Sequence, residues 1–189
     1  MNKNPLLSFT NYLCSFLKTI IVISLITVTI FFIHFQFNPN SYKEWNFKFL
    51  EDRPFLYLYT DTTVGKETID INNLNLADWT KRSLYFNYIK FYLIFILIYA
   101  SIDQFGKIII SVRKLRTFRQ TNVLAFRKIG KNCLFIFFLS IYNYWKVGDF
   151  SRSSISIYLG PLLFALFAFI LAEIFKEGNV LKKENELTV

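Results

Sequence analysis

The sequence predicts an all-α integral membrane protein of four transmembrane helices, with an extracytoplasmic loop that holds a short β-hairpin. Three observations predict it. The 189-residue chain is 53% hydrophobic and 20% aromatic, with mean hydropathy +0.34, too apolar for an ordinary soluble domain. Two uncharged runs are each long enough to cross about 30 Å of hydrocarbon at about 1.5 Å per residue. Finally, a net charge of +9 in so apolar a chain points to charge placed on one side of a bilayer.

The first run, TIIVISLITVTIFFIHF from Thr19 to Phe35, lies between Lys18 and Lys43 and places helix one at residues 14–36. Its apolar region exceeds the roughly 7 to 15 residues of a secretory signal, and FQFNPN offers no small-x-small cleavage site, so an uncleaved anchor is expected. Cys14 is no lipid attachment point, because Asn11, Tyr12 and Leu13 are not small. Helix two, 84–108, comes from LYFNYIKFYLIFILIYASIDQFGKIIISV, of which only Phe91 to Ile102 is free of charge, about 18 Å of helix. Helix three, 130–147, rests on KNCLFIFFLSIYNYW and requires Lys131 and Lys146 to extend their amines to opposite interfaces. Helix four, 155–175, is the second strong run, SISIYLGPLLFALFAFILA. The whole chain, 1–189, reads as one four-helix membrane domain with an outer loop at 37–83, a basic loop at 109–129 and a tail at 176–189.

Orientation follows from the basic residues of the short loops. SVRKLRTFRQTNVLAFRKIGK carries Arg113, Lys114, Arg116, Arg119, Arg127, Lys128 and Lys131 without an acidic residue, whereas the connection between helices three and four has Lys146 and Arg152 against Asp149. The basic loop and both termini are therefore expected in the cytoplasm. Tyr85, Tyr88, Tyr142, Tyr144, Trp145 and Tyr158 fall at the opposite, outer ends, where amphipathic rings are favoured. Attraction to anionic lipid, about 1 kcal/mol per basic residue near the surface, explains the cations more simply than nucleic acid does. The loop is short, abuts two spans and lacks a stacking platform, so no direct nucleic-acid contact is expected.

The same stretch carries a family resemblance. TFRQTNVLAFRKIG, Thr117 to Gly130, resembles the segment between helices two and three of the bacterial membrane family called domain of unknown function 2975, with its Pro-Phe-x-x-x-Asn-x-x-x-Leu-x-x-Ile-Gly type of pattern. Phe118, Asn122, Phe126, Ile129 and Gly130 fall on matching positions, Phe126 standing for an aliphatic residue. The ending EIFKEGNVLKKENELTV is similar to the family's charged tail. Thr117 replaces the common Pro, and Arg119 stands where a Ser or Thr would cap the next helix, leaving Thr121 or Asn122 to substitute. The resemblance implies a four-helix protein of the bacterial inner (cytoplasmic) membrane, of unknown activity. It also implies a small helix-turn-helix regulator as partner, since members are often encoded beside one.

Several side chains are candidates for function. Asp103 follows the apolar stretch of helix two and has Lys107 one turn later; a carboxylate inside the bilayer would be costly and functional, and one at the inner headgroups would simply pair with Lys107. The latter placement is expected. Asn87, Lys90, Ser101 and Gln104 project to one side of helix two, with Asp103 and Lys107 opposite, and the first set is positioned to hydrogen-bond across the bundle. Ala165, Ala168 and Ala172 share a packing face on helix four. Val123, Phe126 and Ile129 recur at helical spacing before helix three, as in a short amphipathic helix on the inner leaflet or a connector under the bundle. In the outer loop, PFLYLYTDTTVGKETIDINN alternates as two strands around Asp61 to Gly65.

His34 stands alone, Cys14 and Cys133 are expected to be buried free thiols, and no catalytic spacing is visible, so neither cofactor nor enzyme activity is expected. The expected role is non-enzymatic sensing or regulation through a cytoplasmic partner. The alternative is a small transporter, channel or immunity protein whose homo-oligomer forms a path near Asp103.

Overall fold

A computed structural model describes residues 5–47, 54–63, 74–115 and 117–187. Among them are four helices: α1 (Pro5–Phe37), α2 (Lys81–Arg113), α3 (Gln120–Ile141) and α4 (Leu159–Leu187). The strands are β1 (Asn46–Phe47), β2 (Leu56–Thr63), β3 (Leu74–Asn75), β4 (Tyr142–Val147) and β5 (Phe150–Ile157). Helices α1 and α2, together with α4 over Leu159–Asn185, are long and apolar enough to cross a bilayer. Three such candidate spans point to a multi-pass membrane protein. Phe16, Ile23 and Ile30 on α1 and Phe164, Phe167 and Ile170 on α4 stay exposed, as a lipid-facing surface requires.

Four spans were expected, and the third of them is not among these three. Helix α3 starts at Gln120 and ends at Ile141, and the residues expected to complete the crossing, Tyr142–Val147, form β4. Aromatic YNYWKV favours a pleated surface once a partner strand exists, and β5 supplies one. The SRSSISI alternation likewise makes β5, so α4 begins at Leu159 rather than 155. Gly160 and Pro161 sit in its first turn, where a missing amide costs little.

The chain falls into two compact units. One, the sheet unit, gathers Ser24–Ile94 and Phe137–Leu159. Its antiparallel sheet has the order β2-β5-β4. Strand β2 is the first half of the expected outer-loop hairpin, but its partner is β5; the second half, 66–73, lies outside the described residues. The tight hairpin is β4–β5, whose two-residue turn puts Gly148 at φ 53°, the positive angle that the first central position of such a turn needs. Asp61 and Arg152 are cross-strand partners joined by two 2.7 Å hydrogen bonds, from Nε to Oδ1 and from Nη2 to Oδ2. That bonding raises the pKa of the guanidinium. Phe35, Tyr42 and Leu84 form one small core, Leu74, Val147 and Phe150 another, and Trp79 packs against both. His34 bonds the Tyr42 hydroxyl through Nδ1 at 2.7 Å.

The other, the turn unit, gathers α1 up to Ile23, α2 from Phe95, α3 up to Ile136 and α4 from Gly160. Its core is Ile108, Val123, Ala125, Phe126 and Ala172, closed by Val112, Ile129 and Phe175. Ala165, Ala168 and Ala172 are all buried, as their shared face requires. Of the two readings of Val123, Phe126 and Ile129, the packed connector is the one observed: they belong to α3 and to this core. Both cysteines are free, Cys14 buried and Cys133 half-buried.

Gly130 lets the Phe169 ring lie directly on α3, because a Cβ there would stand 2.8 Å from Phe169 Cε1. Gly130→Val therefore costs about 1–3 kcal/mol of stability by overpacking, and Phe169→Ala in the same chain restores part of it. Thermal unfolding in detergent reads both; a Gly130→Val protein as stable as the wild type contradicts this packing.

Candidate functional site

The polar face of α2 begins with Ser83, Asn87 and Lys90, spaced i, i+4 and i+7, which places all three on one side of the helix. In the sheet unit they meet β4, an edge strand with unpaired backbone groups on its outer side. Ser83 Oγ donates to the Tyr144 carbonyl at 3.2 Å and accepts from the Lys146 amide at 3.0 Å. Asn87 Nδ2 donates to the same Tyr144 carbonyl at 2.9 Å. Lys90 Nζ donates to the Tyr142 carbonyl at 2.8 Å and to Asn143 Oδ1. Thr80 completes the row by donating both its amide and its hydroxyl to the Lys146 carbonyl. Ser83, Asn87 and Lys90 are all buried, so each bond is made where water would otherwise be needed.

The remaining polar residues of α2 serve the turn unit. Ser101 Oγ accepts from Asn132 Nδ2 on α3 at 3.2 Å, a bond across the bundle. Asp103 pairs with Lys107 at 2.8 Å, as its spacing predicts, and also with Lys18 of α1 at 3.3 Å. Gln104 and Lys107 line one cavity, although the sequence reading set them on opposite sides. An i, i+3 pair is adjacent on a helix surface, so Lys107 reaches both Asp103 and the cavity.

The turn between α2 and α3 is built by the family-pattern residues. Asn122 donates from Nδ2 to the Thr117 carbonyl at 2.6 Å and to Ser111 Oγ at 3.1 Å, tying the first turn of α3 to the connection and to α2. Phe118 lies against Gly178 of α4 and beside the Phe175 ring at 5.6 Å. Leu115 takes a positive φ of 55°, where the chain reverses.

Of the expected contact residues, Arg113, Lys114, Arg119 and Lys128 are exposed, and Arg116 lies outside the described residues. Arg127 instead pairs with Glu173 of α4 at 2.7 Å. The cavity has a volume of about 410 Å³ and is lined by Lys107, Lys114, Arg119 and Lys128 together with Ser111, Thr121 and Asn122. Its cationic lining sits beside the first turn of α3, which contains no acidic residue.

Sequence reasoning missed Ser83, Lys18 and Asn143. Ser83 extends the Asn87 and Lys90 stripe by one turn, a visible signal; the other two depend on elements far apart in the chain. No group of three His, Cys, Asp or Glu side chains able to hold a metal occurs among the described residues.

Replacing Asn87 by Leu keeps the volume but removes one of the two side-chain donors to the Tyr144 carbonyl, and it lowers the unfolding free energy by about 1–3 kcal/mol. Chemical denaturation in mixed micelles, followed by the fluorescence of Trp79 and Trp145, measures it. Unchanged stability contradicts the role given to this bond.

A family model described as protein of unknown function (DUF2975) matches residues 66–189, well over half of the chain, which therefore belongs to that family. Comparison with curated proteins and with solved structures returned no match.

Proposed function

We propose that this member of the DUF2975 family works without catalysis, as a sensor or regulator in the bacterial cytoplasmic membrane that engages a protein partner on the cytoplasmic side. One observation carries the reading: the basic turn and the charged end of α4 are joined into one face. Phe118 packs on Gly178, Arg127 pairs with Glu173, and α4 continues as a helix to Leu187. The segment beyond Glu173 thus extends roughly 20 Å as a rigid, charged rod. A partner meeting this face meets cations of the turn and mixed charges of the tail at once.

In this reading the turn and both termini face the cytoplasm. The basic excess around Arg113 and Arg119 supports that orientation. The pairing of β2 with β5 agrees with it, since it puts the α1–α2 and α3–α4 connections on a common side. A small helix-turn-helix regulator is the partner that the family resemblance suggests. Asp103, on which an oligomeric transporter, channel or immunity protein would rely, is clasped by Lys18 and Lys107, which supports a structural role for it and favours regulation.

Crosslinking in living cells followed by mass spectrometry tests the proposal. The intact protein captures a cytoplasmic regulator, whereas a variant with Arg113→Ala, Arg116→Ala and Arg119→Ala, or one lacking 181–189, does not. Equal capture by all three forms, or self-crosslinks alone, overturns it.

A further inference from the structure

From the cavity between α2 and α3 we infer a binding site for a phosphate-bearing anion, independent of any protein partner. Four cations line it, from three places in the turn unit: Lys107 on α2, Lys114 and Arg119 in the turn and Lys128 on α3. No carboxylate is among its lining residues. The Asp103 carboxylate occupies only Lys107 among these cations, and it is shared with Lys18. Lys114, Arg119 and Lys128 form no ion pair among the described residues.

Such an arrangement attracts an anion. Arg119 stands just before the first turn of α3, the positive end of its dipole, where an anion is favourable. Asn122 ties this turn through Thr117 and Ser111. An anion in the cavity satisfies all of these charges together. Phosphate fits best: its several oxygens accept from a guanidinium, from ammonium groups and from the hydroxyl of Thr121, which also lines the space. The volume of about 410 Å³ exceeds a bare phosphate and accommodates a phosphorylated headgroup or a small organic phosphate. Ile110 and Leu124 line the same cavity and supply apolar contact for the remainder of such a ligand.

The test uses the full chain in detergent and in nanodiscs. Retention of phosphatidylglycerol is read by native mass spectrometry, and thermal stabilisation by inorganic phosphate or pyrophosphate is read in a phospholipid-free micelle. A pocket variant, Lys114→Gln, Arg119→Gln and Lys128→Gln, is set against a charge-matched control, Lys43→Gln, Lys131→Gln and Lys183→Gln, with helical content checked by circular dichroism. The pocket variant loses retention at least about tenfold and the control keeps it. Pocket-dependent retention of phosphatidylglycerol identifies a lipid headgroup; a pocket-dependent response to soluble phosphate without lipid retention identifies a free phosphate, and either supports the site. Equal loss in the control, or no binding of any probe by the wild type, overturns it.

Discussion

A strand edge buried against a helix cannot be left without hydrogen bonds, and the sheet unit is arranged around that constraint. Strand β4 follows directly from the end of α3, in a chain whose neighbouring helices are built for lipid. Its outer carbonyls and amide would each cost several kcal/mol if they faced an apolar medium unpaired. Thr80 just before helix α2, and Ser83, Asn87 and Lys90 on it, meet that need, so that a helix stripe with a period near 3.6 matches a strand whose groups repeat every second residue. The position of the β4–β5 hairpin, the pairing of β2 onto it and the Asp61 to Arg152 bridge all follow from where β4 is fixed.

The turn unit solves a different problem, that of bringing a cationic reversal close to neighbouring helices. Small residues make the approach: Gly130 admits Phe169, Gly178 admits Phe118, and Ala165, Ala168 and Ala172 line the buried face of α4. Asn122 then fixes the reversal with side-chain bonds rather than with a proline ring, which Thr117 lacks. The result is a cationic turn tied to its neighbouring helix by side-chain bonds.

Much of this was legible in the sequence. The apolar runs around Ile26 and Phe167 declare two spans by length alone, and Asp103 with Lys107 declares its pair by spacing. Asn87 and Lys90 were readable as inward-facing groups, but not their acceptors, because backbone carbonyls leave no mark in a sequence. The error at 142–147 has the same origin. Aromatic YNYWKV suits a helix end at an interface as well as a strand, and only β5, itself hidden at the edge of an apolar run, decides between them. The cavity was illegible for a further reason: its cations come from both sides of the turn, and the reading along one helix separated Gln104 from Lys107.

The central claim is that α2 anchors the edge of β4, and amide hydrogen exchange on Lys90→Met tests it most directly. Methionine keeps the apolar stem and removes every donor. The account predicts faster exchange through β4 and β5, with protection in α1 and α4 unchanged. Exchange in β4 and β5 equal to that of the wild-type protein would contradict it.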